Sequence, residues 1–260
     1  MLSVLRALEG EFTSEAVPAV LGSLRDRAVK ATVGRDPYKE LKVKAGRDAL
    51  ALLPAAERYI SEARTSYQRF RRVCALSIVA NSMEFDVRGF KFSFRDFQKS
   101  LKKPKLAVDH LGQTYRLLRE SKWVLFLTDN AGEIVFDSLL LRYLKEMGLK
   151  VTVAVKDRPV LNDATLKEAR EAGVDGIVDE LITTGSDSVG LLWEETSAKV
   201  KRIFKEADLV IVKGMGNYET LSELEGIGVR VLFLLKAKCS PIARSIGVKR
   251  GANVALLTGC

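Results

Sequence analysis

The chain has 260 residues, 47% hydrophobic and 29% charged, a composition that supports a folded core and excludes disorder as its general state. Lysine and arginine number 42 against 33 aspartate and glutamate, a formal charge of +9 that points to an anionic partner: nucleic acid, a phosphorylated metabolite or a membrane surface. Three cysteines, Cys74, Cys239 and Cys260, stand far apart with no CxxC pair, which argues against a thiolate zinc site and for a reducing cytoplasm. No apolar run approaches the ~18 residues of a membrane span, and the stretch MLSVLRALEGEF lacks a signal-peptide pattern.

In chain order, the pattern is helical from Leu2 to about Glu120. Segment 38–53 places Leu41, Ala45, Ala49 and Leu52 near a 3.6 period, and 66–83 places Phe70, Val73, Cys74, Ser77, Ile78 and Asn81 near one face. The stretch 87–100, with Phe90, Phe92 and Phe94 alternating, reads as a short extended piece or an aromatic-packed loop, and helix returns through 106–120. The one histidine, His110, lies in VDHLGQ and reads as a surface or helix-packing residue.

From Trp123 short apolar runs alternate with helical segments. Strands are predicted at 123–129, 150–156, 176–182, 207–214, 229–237 and 253–259, with helices from about Gly132 to Met147 and Asp163 to Ala172, closed by Gly148 and Gly173. Such alternation predicts a mostly parallel sheet covered on both faces, a Rossmann-like αβα core. The expected organisation is therefore a helical domain over 1–120 followed by a Rossmann-like metal- and phosphate-binding domain over 121–260.

Ligands of open parallel sheets bind at the carboxyl ends of the strands. The expected tips are Thr128–Glu133, Lys156–Asp163, Thr183–Asp187, Lys213–Glu219 and Lys236–Cys239. Asp129, Asn130 and Asp163 are oxygen donors suited to a hard divalent ion. Lys213, Lys236 and Lys238 offer positive charge, and Gly214 and Gly216 allow backbone N–H groups close to an anion. Together these suit phosphoryl transfer. Each also has a plainer reading: Asp129, Asn130 and Asp163 as helix caps, Glu133 as a first-turn acid, the GMG run as a turn, and Asn81 as an internally satisfied amide.

The runs LFLTDNAGEIVFD (125–137), PVLNDAT (159–165), ADLVIVKGMGNYETL (207–221) and LLKAKC (234–239), joined by DPYKELK (36–42) and ANSMEFD (80–86), resemble the damage-control phosphatases, long catalogued as domain of unknown function 89, and their archaeal and bacterial subfamily I. The resemblance covers nearly the whole chain. It implies a metal-dependent phosphatase active with Mn²⁺, Co²⁺, Ni²⁺ or Mg²⁺ on sugar phosphates and damaged phospho-metabolites. It carries the metal ligands to Asp129, Asn130 and Asp163, the phosphate and substrate contacts to Gly214, Asn217 and Lys236, and Glu133 to a place near the metal. The chain departs from the pattern in starting without a CxxC segment, and at 80–86, where Glu84 stands in place of a usual aspartate.

The expectation is thus a cytoplasmic phosphoric monoester hydrolase. Asp129, Asp163 and Lys236 would be catalytic, with Glu133, Lys213, Gly214, Gly216, Asn217 and Asn81 binding substrate. Its partner would be a small phosphorylated metabolite, with no nucleic acid or membrane involved. Whether Asp129 is nucleophile or ligand, which metal is preferred and the oligomeric state are open at this level. An S-adenosylmethionine-dependent methyltransferase is the alternative that a Rossmann-like sheet permits. The loop DNAG and the strand-end lysines weigh against it.

Overall fold

The computed structural model describes residues 1–260 except 14, 82–103, 223, 225–227 and 260. The predicted aromatic stretch 87–100, Glu84 and Cys260 lie outside the described residues. Four helices come first: α1 (Leu2–Leu8), α2 (Pro18–Val33), α3 (Lys39–Ser61) and α4 (Ser66–Ala80). Then follow β1 (Leu106–Asp109), α5 (Leu111–Glu120), β2 (Trp123–Leu127), α6 (Glu133–Glu146), β3 (Lys150–Val155), α7 (Leu166–Glu171) and β4 (Glu180–Thr183). The chain ends with α8 (Ala198–Glu206), β5 (Leu209–Lys213), α9 (Met215–Leu221), β6 (Val231–Lys236), α10 (Ser240–Ile246) and β7 (Asn253–Thr258).

The strands form one sheet in the order β1-β7-β6-β5-β2-β3-β4. Strands β2 to β6 pair in parallel, β7 is antiparallel to β6, and β1 is parallel to β7. Alternate strand residues feed two cores. Val124, Phe126, Val153, Ile211 and Leu234 face one, together with α4 and α6. Leu125, Leu127, Val210, Val212, Phe233 and Leu235 face the other, together with α8 and α10. A parallel sheet buried on both faces needs apolar residues at consecutive positions, which is the pattern of WVLFL and LVIVK.

Two differences from the sequence reading have physical causes. Residues 106–109 are a strand rather than the start of a helix, because Leu106, Val108 and Asp109 pair with Asn253, Val254 and Ala255. Four residues are too few to show a period, and the partner lies about 150 residues away in the chain, at Asn253. The predicted strand 176–182 begins only at Glu180, after a 3₁₀ turn at Val174–Gly176. The sheet also crosses the domain boundary expected at 120, since β1 precedes it. The first core likewise runs without a break from α3 and α4 into α6 and the strands. His110 caps no helix with its side chain; its Nδ1 instead accepts from the Leu257 backbone N–H at 3.1 Å.

Helix α4 starts at Thr65, whose hydroxyl accepts from the Gln68 N–H at 3.1 Å. From Val73 to Asn81 every residue is buried, because α4 lies between α3 and α6. Its last turn carries Asn81 to the carboxyl edge of the sheet.

Candidate active site

Strands β2, β3 and β5 run in parallel, so the residues after each meet at one edge. The loop after β3 folds back onto the loop after β2. Asn130 and Asp163 form an isolated antiparallel bridge, Ala131 N–H donates to Asn162 O at 2.9 Å, and Ala164 N–H donates to Asp129 O at 2.8 Å. Backbone pairing thus brings Asp163 to Asp129 and Asn130, more than thirty positions earlier in the sequence. In the same loop Leu161 has φ +43°, a left-handed conformation uncommon for a side chain of its kind.

Two amides and two carboxylates interlock at this edge. Asn81 Nδ2 donates to Asp129 Oδ2 at 2.7 Å and to Glu133 Oε1 and Oε2 at 2.9 and 3.1 Å. Asn130 Nδ2 donates to Asp129 Oδ2 at 3.0 Å and also to Glu133 Oε1. Asn81 Oδ1 accepts from the Lys236 backbone N–H at 3.2 Å, which ties α4 to the tip of β6.

Beneath them lies a buried ionic chain. Lys213 Nζ donates to Glu133 Oε2 at 2.9 Å and to Asp137 Oδ1 and Oδ2 at 2.9 and 3.1 Å. Ser77 Oγ donates to Asp137 Oδ1 at 2.6 Å. On the other side, Lys156 Nζ stands 3.6 Å from Asp163 Oδ2 and donates to Gly190 O.

Several predicted substrate residues therefore have different employment. Lys213 is fully buried between two carboxylates and is not available to an anion. Asn217 Nδ2 donates to Thr128 O and Lys213 O at 2.9 and 2.8 Å, bracing β2 against β5. Gly216 permits close packing: a side chain there would meet Val189 Cγ1 at 3.1 Å, and the facing Gly190 has room only for hydrogen against Gly216 O. Glu133 is 1% exposed with both oxygens occupied. Gly214 is at φ +79°, and a Cβ there would lie 2.0 Å from Asp129 Oδ2, so the glycine lets the backbone touch the carboxylate. Lys236 and Lys238 remain half-buried at the tip of β6, with no ion-pair partner among the described residues.

The charges explain how the site behaves. Four carboxyl groups, of Asp129, Glu133, Asp137 and Asp163, crowd around two ammonium groups, of Lys156 and Lys213, so acids outnumber bases in the cluster. Burial, then Glu133 and Asp163, push Asp129 well above the usual carboxylate range, and Lys238 pulls it back. Burial likewise raises Asp163 against the pull of Lys156, and lowers Lys156 itself. Burial pushes Asp137 up to about 6 against Lys213, whereas for Lys213 the carboxylates outweigh burial and hold it above an ordinary lysine. The two partners pull in different senses. Three hydrogen bonds donated to Asp137 favour its ionised form.

Asp129 has no cation in direct contact among the described residues. Two carboxyl groups and an amide carbonyl, in a cluster where acids outnumber bases and crowd one another, fit a divalent ion. Among the described residues no three His, Cys, Asp or Glu side chains converge as a cage by themselves, so such a site depends on Asn130.

Sequence reasoning gave Ser77, Asp137 and Lys156 no role in the site. Asp137 had a signal: it lies one turn after Glu133, a second acid on one face of an otherwise apolar helix. The place of helix α2 beside the site was also missed. The helix crosses the strand tips, with Ser23 Oγ accepting from Val189 N–H at 2.8 Å, Arg27 paired to Asp187 and Glu195, and Lys30 paired to Asp187.

A family model described as the damage-control phosphatase ARMT1-like domain matches residues 2–254. The chain belongs to the damage-control phosphatase family. A damage-control phosphatase of Archaeoglobus fulgidus is 38% identical over 96% of this chain and 86% of its own length. An uncharacterized protein of Methanocaldococcus jannaschii is 36% identical over 98% and 84%. The crystal structure of a domain-of-unknown-function-89 protein from Pyrococcus horikoshii superposes with a TM-score of 0.86 at 32% identity, covering 98% of this chain and 87% of that one. As a damage-control phosphatase by family and fold, the chain offers no support for the methyltransferase alternative. Among the described residues no helix is long and apolar enough to cross a membrane.

Proposed function

We propose that this phosphatase is divalent-metal-dependent and hydrolyses phosphate monoesters of small metabolites, sugar phosphates or damaged phospho-metabolites. The observation that carries the reading is the oxygen-rich, partly open cluster of Asp129, Asn130 and Asp163 at the sheet edge, beside the half-buried Lys236 and Lys238. Asp129, Asn130 and Asp163 would hold Mn²⁺, Co²⁺, Ni²⁺ or Mg²⁺. Bound there, the ion would supply Lewis-acid polarisation of the phosphoryl oxygens.

The chain's own groups do the rest. Lys236 and Lys238 bind the phosphate dianion and stabilise charge as it builds on the equatorial oxygens. Gly214 lets the backbone pass against Asp129, so that the carboxylate is held in one place. Asp129 stands where it can serve as a ligand or attack phosphorus, and Asp163, raised by burial, can orient a water. Helix α2 lies across the loops after β3 and β4, with Lys30 donating to Pro159 O and paired to Asp187.

The test is phosphate release from p-nitrophenyl phosphate and a panel of sugar phosphates by chelator-treated protein, before and after each metal is added back. Metal-restored release, lost in Asp129→Ala, is expected. Release that ignores chelator, or no release with any metal, sinks the proposal.

A further inference from the structure

The amide of Asn130 can serve a cation only through its carbonyl oxygen. The two ends of an asparagine amide are nearly equal in size, and a half-turn about χ2 would present NH₂, which has no lone pair to give. Something must choose between the two orientations. In this structure Asn130 Nδ2 faces two carboxylate oxygens, Asp129 Oδ2 and Glu133 Oε1, which only accept. No described residue donates to Asn130 Oδ1.

The two locks are not equivalent. Asp129 is itself an expected ligand, so its oxygens are shared with the ion. Glu133 is buried, and Lys213 holds its Oε2 at 2.9 Å, which leaves Oε1 to receive the amides. Lys213 in turn is seated on Asp137, and Asp137 on Ser77. The chain from Ser77 to Asn130 runs through α4, α6, β5 and the β2 loop, with every member buried except Asn130, which is half-buried.

We propose that Glu133 is a positioning residue for the metal site: its carboxylate, anchored by Lys213, sets the Asn130 amide so that the carbonyl oxygen faces the ion. This rests on Asn130 being a metal ligand. Glu133 then touches neither substrate nor metal, and acts through Asn130. A glutamine at 133 keeps the size but brings its own NH₂, which can donate to Asn130 Oδ1 and favour the reversed amide. Partners of this kind typically change metal affinity 10- to 100-fold.

The experiment is calorimetric titration of the purified full chain with MnCl₂ alone, with no substrate. Glu133→Gln should weaken binding at least tenfold, with circular dichroism unchanged. An aspartate at 130 has two equivalent oxygens and nothing to orient, so Asn130→Asp added to Glu133→Gln should bring affinity back to within about threefold of the unaltered chain. A general structural role for Glu133 would not give that rescue. Wild-type affinity in Glu133→Gln, or a double variant no better than the single one, overturns the proposal. Asp163→Ala separates the two readings. If it abolishes Mn²⁺ binding while Glu133→Gln does not weaken it, the metal site stands and the orienting role falls; if the unaltered chain takes no metal, both fall. Should Gln at 133 fail to fold, Glu133→Asp, which keeps the charge but draws the oxygens back, is read in the same pair with the same outcomes.

Discussion

Lys213 Nζ stands 2.9 Å from Asp137 Oδ1, with neither side chain exposed to solvent. A strand-tip lysine that looked ready for a phosphate is instead the centre of a buried ionic group. Removing one partner of such a group leaves the other charge uncompensated, at a cost of ~3–5 kcal/mol. Lys213→Met should therefore lower unfolding free energy by about that amount in urea titrations. A loss under ~1 kcal/mol would show that the pair contributes little in its native setting.

Gly214 is expected to be intolerant of any side chain. Its φ of +79° disfavours alanine, and the added Cβ would overlap the Asp129 carboxylate. Gly214→Ala should cost roughly 1–3 kcal/mol of stability and displace Asp129, so that Mn²⁺ affinity falls with it. Retained metal affinity in a folded Gly214→Ala protein would mean that Asp129 does not need the position seen here.

Lys236 should act on the anion and not on the metal. Loss of one charged hydrogen-bond donor to phosphate is worth ~1.5–3 kcal/mol, so Lys236→Ala should weaken inhibition by inorganic phosphate by roughly 10- to 100-fold. Its Mn²⁺ titration should be unchanged. Equal loss of both would place Lys236 in the scaffold.

The clamp between α2 and the loop after β4 should loosen in acid. Burial works to raise Asp187, but Lys30 and Arg27 outweigh it and hold the carboxyl below its ordinary value of 3.8. A depressed native value stabilises the fold above the unfolded value, and that contribution is lost as pH falls through the native one. The melting temperatures of the unaltered chain and Asp187→Asn should therefore differ most near neutrality and converge as pH drops below about 4. A constant gap across that range would rule out Asp187 ionisation as the link.

Much of the site was legible before any coordinates. Oxygen-rich side chains following apolar strand runs announce a sheet edge, which is why the fold class was clear and why Asp129, Asn130 and Asp163 were expected at one edge, where they meet. What the runs could not convey was which polar residue faces which. Lys213 and Lys236 end neighbouring strands with the same type of side chain. Only the arrival of Asp137 and Glu133 from α6 separates the buried one from the half-buried one. Asn217 sits in a motif of phosphate-binding look, yet its amide is drawn inward by two backbone carbonyls. The strand β1 was hidden because its partner among the described residues, β7, lies far along the chain.

Local chemistry therefore determined most of the elements and the family, since period, strand-end residues and motif spacing are properties of neighbours in the chain. The roles within the cluster were decided by packing. Burial removes water from every group at once, and then the nearest opposite charge or hydrogen-bond donor, however distant in sequence, fixes what each side chain can do. For the nine surplus positive charges of the opening, that leaves Lys213 and Lys156 engaged with carboxyl groups inside the cluster, and Lys236 and Lys238 half-buried at the tip of β6 without an ion-pair partner among the described residues.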